Sequence, residues 1–144
     1  MNAFTASSTQ TAGTEPRVAD AMSWGLVSCR PNESLTTVAA LMNDQRVHSV
    51  VVTDDPADAR SLWGVISDLD LIAAASVRRL SEQEAGGTAM SPAVTISPAE
   101  SLERAAELMT RHGVSHLVVM DPVQRRPVGV LSTLDLAAVL AVSQ

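Results

Sequence analysis

The chain has 144 residues, 46% of them hydrophobic and 2% aromatic, and a net charge of -6. That length suits one domain of ordinary size with a sizeable core. The acidic balance argues against nucleic acid as a default partner, because phosphate binding needs clustered positive charge. All ten positive charges are arginine, so Walker-type phosphate binding and Schiff-base chemistry have no lysine to use.

Residues 1–16 are rich in Thr, Ser and Ala and lack a charged segment followed by an apolar one. They read as a disordered tail, not a signal peptide. After a turn near Met22, Leu26 to Cys29 is a short apolar strand stopped by Pro31. Leu35, Val38, Ala39 and Met42 then recur at helical spacing behind Ser34. Ser49 to Thr53 is continuously apolar and β-branched, the pattern of a strand covered on both faces. Asp54-Asp55-Pro56 breaks the chain, Leu62 to Ile66 is the return strand, and Leu69 to Arg79 is helical by composition. Ser81 to Gly87, with two acids and two glycines, reads as a linker.

The same order then recurs. Ala93 to Ile96 is a short strand before Pro98; Leu102, Ala105, Ala106 and Met109 form a helical stripe behind Ser101; Leu117 to Met120 and Val128 to Leu131 are strands around Asp121-Pro122; Leu134 to Val142 is a helix. His112, beside Gly113, suits a helix C-terminus. No apolar run reaches the ~20 residues that span a bilayer, and the lone Cys29 fits a reducing interior. The cytoplasm is the expected location.

The recurrence extends to the letters. Gly64-Val65-Ile66-Ser67-Asp68-Leu69-Asp70-Leu71 returns as Gly129-Val130-Leu131-Ser132-Thr133-Leu134-Asp135-Leu136, and Pro31-Asn32-Glu33-Ser34-Leu35 as Pro98-Ala99-Glu100-Ser101-Leu102. Val47-His48-Ser49-Val50 lines up with Val114-Ser115-His116-Leu117, and Ala21-Met22-Ser23 with Ala89-Met90-Ser91. The separation of matched positions shortens along the chain, as insertions in surface loops would cause. The expected fold is α/β: a tail over 1–16, repeats over 17–80 and 88–144 joined by 81–87, each strand-helix-strand-strand-helix, packed as one pseudo-two-fold globule.

This order, with Gly-hydrophobic-hydrophobic-Ser-x-x-Asp leading into the last helix of each copy, resembles the domain first named from cystathionine beta-synthase, the CBS domain, as a tandem pair or Bateman module. The resemblance covers Val18 to Val142. It implies a regulatory module with no cofactor requirement. Its ligand would be an adenosine compound such as AMP, ADP, ATP or S-adenosylmethionine, bound in clefts between the repeats. It also implies a homodimer.

Ser67 and Asp70, like Ser132 and Asp135, stand three apart before an apolar helix. One reading is a capping box, with the serine capping the helix and the carboxylate reaching back to the serine N–H. The other, which the resemblance favours, has the aspartate accepting from ribose hydroxyls while serine and helix N-terminus meet a phosphate. The resemblance also puts a phosphate contact at His48, replaced by Ser115 in the second copy, where the histidine has moved to His116. The favoured site combines His48, Ser67 and Asp70. Ser23 to Val27 and Ser91 to Val94 would supply backbone and apolar walls for adenine, with Ser23, Trp24, Val27, Ser91 and Val94 as candidate contacts. Trp24 either stacks on a base or simply packs, and Trp63 is expected in the core or at a dimer contact.

The residue after each serine departs from the basic one that family members often carry, being Asp68 or Thr133. That favours AMP, adenosine or S-adenosylmethionine over ATP without a metal. The alternative to a ligand sensor acting on an effector protein in trans is a ligand-free dimeric scaffold. Catalysis is not expected: His48, His112, His116 and Cys29 show no metal-ligand spacing, and no nucleophile has an evident base. Arg78, Arg79, Arg104 and Arg111 are the candidates for a local basic patch.

Overall fold

A computed structural model of the chain describes residues 15–143. The expected tail therefore lies outside the described residues, apart from Glu15 and Pro16. Two small sheets carry the architecture. In the first, β2 (Ser28–Cys29) runs parallel to β3 (Ser49–Thr53), which pairs antiparallel with β4 (Leu62–Ser67). In the second, β5 (Thr95–Ile96) runs parallel to β6 (His116–Asp121), which pairs antiparallel with β7 (Arg126–Ser132). Helices α2 (Leu35–Gln45) and α3 (Asp68–Ala75) flank the first sheet, and α5 (Leu102–His112) and α6 (Thr133–Ser143) the second.

The apolar runs are explained by two different neighbours. Val50 and Val52 of β3 pack with Leu35, Val38 and Met42 of α2, whereas Val51 between them packs with Val65 and with Val118 of the second sheet. In β6, Leu117 and Val119 face Leu102 and Met109 of α5, and Val118 faces the first sheet. Successive strand side chains point to opposite faces. One face of each sheet is therefore covered by its helices and the other by its twin, so every residue in the middle of the strand is apolar.

The lobes are not the sequence repeats. The leading segment of each repeat crosses to the other lobe. Helix α1 (Val18–Ala21) donates Val18 N–H to Glu100 O and Ala19 N–H to Pro98 O, both at 2.9 Å, and Val18 is fully buried among Leu102, Leu117 and Leu131. Strand β1 (Ser23–Trp24) then pairs antiparallel with β7, Ser23 opposite Val130 and Trp24 opposite Gly129. Reciprocally, α4 (Ala85–Thr88) hydrogen-bonds Glu33 O and Pro31 O at 2.8 Å, and Met90 bridges Val65 on β4. The segment expected as a linker thus carries Ala85, fully buried beside Leu35 and Ile66.

Both long first helices start as the sequence indicates, with Ser34 accepting from Thr37 N–H and Ser101 from Arg104 N–H. Helix α3 is shorter than expected, ending at Ala75 and not at Arg79. Ser76 Oγ donates to Ala73 O at 2.7 Å, and the Gln83 amide donates to Ala74 O at 2.9 Å and Arg78 O at 3.1 Å. These side-chain donors share the last carbonyls of the helix with the backbone, since Ala74 O also accepts from Val77 N–H at 3.1 Å and Arg78 N–H at 3.4 Å. Trp63 is 44% exposed and donates from Nε1 to Gly86 O at 2.9 Å, so it is not a core residue.

Candidate functional site

The exchange of leading segments creates two clefts where the lobes meet, each of about 420 Å³. Ser67 and Asp70 line the first, together with Pro92, Val94, Ser115 and His116. Ser132 and Asp135 line the second, with Ser23, Trp24, Val27, Arg46 and His48. We refer to them as the Asp70 and Asp135 cavities.

Each cavity is built over a helix start. Ser67 Oγ accepts from Asp70 N–H at 3.1 Å while Asp70 Oδ2 accepts from Ser67 N–H at 2.9 Å. The second copy repeats this with distances of 3.1 and 2.8 Å. The capping box is therefore real, and it does not compete with the second reading. It engages Oδ2 of each aspartate, and a carboxylate carries acceptor capacity beyond the one bond. The serine, having accepted, still has a hydroxyl proton to give.

The structure corrects the grouping of His48 with Ser67 and Asp70. His48 lines the Asp135 cavity, and the strand start facing Asp70 is Ser115-His116 of the other lobe. The backbone at His48 stays beside the start of α3, its O accepting from Asp68 N–H at 2.9 Å, but the residue lines the cavity that holds Asp135 and Leu134 of α6. Within its own lobe the His48 ring meets the start of α3, with Nδ1 at 3.2 Å from Asp68 Oδ2. His116, set on the opposite strand face from a His48 equivalent, lines both cavities and bonds Ser115 Oγ through Nδ1 at 2.9 Å. Burial pushes its pKa below the usual histidine value, against the pull of Asp68, Asp70 and Asp135, while His48 adds to the lowering. Ser91 lines neither cavity; its hydroxyl donates to Trp63 O at 2.7 Å and ties down the crossing segment. Trp24 is 60% exposed at the rim, with Nε1 donating to Ala19 O at 3.1 Å.

Sequence reasoning passed over Arg46. It ends α2 in the left-handed region at φ 55°, where α5 ends in Gly113 at φ 63°. The repeat alignment held the signal, since Arg46-Val47-His48 stands against Gly113-Val114-Ser115. Two arginines considered for a basic patch, Arg104 and Arg111, both pair with Glu107. No group of three His, Cys, Asp or Glu converges to hold a metal among the described residues. No helix among them is long and apolar enough to cross a membrane.

A family model described as the CBS domain matches residues 18–77 and again residues 87–142. The chain belongs to the CBS domain family. It is a tandem CBS pair with the Bateman module fold. Among curated proteins it resembles the CBS domain-containing protein YhcV of Bacillus subtilis, 28% identical over 125 residues that cover 83% of this chain and 82% of that one. Among solved structures it is similar to the CBS domain protein PAE2072 from Pyrobaculum aerophilum complexed with AMP. That match has 28% identity and a TM-score of 0.74, covering 89% of this chain and 98% of that one. The CBS domain pair of protein MJ0100, in complex with 5-methylthioadenosine and S-adenosylmethionine, superposes with a TM-score of 0.76 at 18% identity. It covers 90% of this chain and 98% of its own, and at that identity it bears on the fold alone.

Proposed function

We propose that this CBS pair is a regulatory module that binds an adenosine compound in its inter-lobe cavities and passes the result in trans to an effector protein, without catalysis of its own. The observation that carries the reading is the coincidence, twice in one chain, of a Ser-x-x-Asp helix start with the wall of a cavity of about 420 Å³. Pockets of that size suit a nucleoside-sized ligand. Each aspartate can accept from ribose hydroxyls, and helix N-termini favour anionic groups. The AMP held by the 28% identical P. aerophilum protein supports the ligand class. A cytoplasmic setting accords with Cys29, a buried free thiol whose pKa burial, and then Glu33, pushes up to about 11.

Thermal unfolding of the wild type, Asp70→Ala and Asp135→Ala against AMP, ADP, ATP, adenosine and S-adenosylmethionine tests the reading. A ligand at 100 times its Kd should stabilise by ~2.7 kcal/mol, and the shift should vanish in at least one variant. No shift with any of the five ligands would leave the chain as a ligand-free interaction module.

A homodimer is the second part of the proposal, favoured by three large apolar side chains on the last helices. Leu69 and Ile72 of α3 and Leu134 of α6 are 72%, 66% and 67% exposed. Leu69 and Ile72 stand three apart on one helix face, and exposed apolar surface of that kind marks interaction sites. Light scattering should return twice the chain mass, and Leu69→Glu with Leu134→Glu should return it to the monomer value. A monomeric wild type would end the idea.

A further inference from the structure

The two cavities share a backbone plan but not a charge plan, and the difference sits at three matched positions. Arg46, His48 and Trp24 line the Asp135 cavity; their counterparts Gly113, Ser115 and Pro92 line the Asp70 cavity. One cavity is thus bordered by a guanidinium, an imidazole and an indole. The other has a hydrogen atom, a hydroxyl and an aliphatic ring in the same places.

Arg46 is unusual for its backbone as well. Its φ of 55° is a conformation that favours glycine, and Gly113 occupies it at the matched site. Among the described residues no carboxylate lies within ion-pair distance of Arg46, so its charge is not neutralised locally. His48 is tied to Asp68 through Nδ1 alone. The Asp70 cavity has His116, which it shares, and its walls include the thioethers of Met90 and Met109. Both cavities have an aspartate and a helix N-terminus in the wall, but only the Asp135 cavity adds a permanent cation to offset a phosphate's charge.

We propose that the cavities divide their ligands by charge. The Asp135 cavity takes a phosphorylated adenosine compound, with Arg46 and His48 meeting the phosphate. The Asp70 cavity takes an adenosine compound that lacks phosphate. The proposal rests on the adenosine-binding reading above and assigns a ligand class to each cleft. Arginine suits the role because its planar fork matches phosphate oxygens two at a time.

The two tryptophans make the test direct, since Trp24 lines the Asp135 cavity and Trp63 lines neither. In Trp63→Phe protein, emission reports on the Asp135 cavity alone, while calorimetry counts all binding. AMP should change Trp24 emission at one equivalent per chain; 5-methylthioadenosine should give heat at one equivalent without that change. Arg46→Gly should weaken AMP by about 10-fold or more and leave 5-methylthioadenosine unaffected. Glycine accepts this φ readily, so the variant should fold as well as the parent. The double variant Gly113→Arg, Ser115→His should bind a second equivalent of AMP.

Unchanged AMP affinity in Arg46→Gly would overturn the division and leave Arg46 as a complement to the negative end of the α2 dipole. So would AMP binding that Asp70→Ala abolishes and Asp135→Ala spares; both results keep the adenosine reading intact. Absence of heat with either ligand would overturn the two together.

Discussion

In the first lobe a left-handed arginine closes α2 and α3 stops at Ala75; in the second, glycine closes α5 and α6 runs on to Ser143. Between these divergent parts the caps are superimposable in kind, with both serine–aspartate pairs closing reciprocal hydrogen bonds of 2.8 to 3.1 Å. Backbone-to-backbone and backbone-to-cap geometry has to be the same in both copies, because the same helix start is built twice. Side chains that meet a cavity or solvent are under no such constraint, and there the copies part. The unequal rims of the Asp70 and Asp135 cavities are the functional face of that freedom.

The crossing segments are where the equivalence breaks hardest. A Cβ on Gly64 would strike Met90 O, and one on Gly129 would strike both Ser23 O and the Met22 methyl. Gly64→Ala and Gly129→Ala should each cost about 1–3 kcal/mol in urea unfolding. Gly129→Ala should be the worse, because β1 forms a two-residue strand pair there whereas Met90 makes a single bridge. Equal costs would mean that both crossings yield alike.

A smaller and opposite pair of effects sharpens the contrast at the helix ends. Gly113→Ala should lose about 1 kcal/mol, and Arg46→Gly should gain up to about 1 kcal/mol, from the left-handed backbone that both positions share. If Arg46→Gly is instead destabilising, its interaction with the end of α2 outweighs the strain.

The smallest expected effect is a pH slope at the shared wall. Burial lowers the pKa of His116 in the folded state, so on acidification the unfolded chain takes up this proton first. The stability it represents is fully present above the ordinary histidine pKa of about 6.5 and is lost as pH falls toward the folded value. Melting of wild type and His116→Gln from about pH 7.5 to 5.5 should show a shallower decline in the variant. Parallel curves would mean that Asp68, Asp70 and Asp135 cancel the effect of burial.

The local features were legible because they live within one turn of chain. Ser34 and Ser101 as helix caps, the Ser-x-x-Asp boxes and the glycine at the end of α5 each depend on residues three or four apart. The doubly apolar strands were legible too, since burial on both faces leaves its mark in composition. The return of Gln83 from beyond the next turn onto Ala74 O and Arg78 O, at the end of α3, was not, because nothing in the local spacing marks it.

By itself the sequence determined the repeat, its element order, its caps and the family, all of which reside in spacing along the chain. Only the tertiary structure decided that α1 and α4 serve the opposite lobes, that His48 belongs with Asp135, and that His116 borders both cavities. Those pairings join residues far apart in the chain across a pseudo-two-fold axis. Two identical-looking repeats leave no trace in their spacing of which copy closes which cleft.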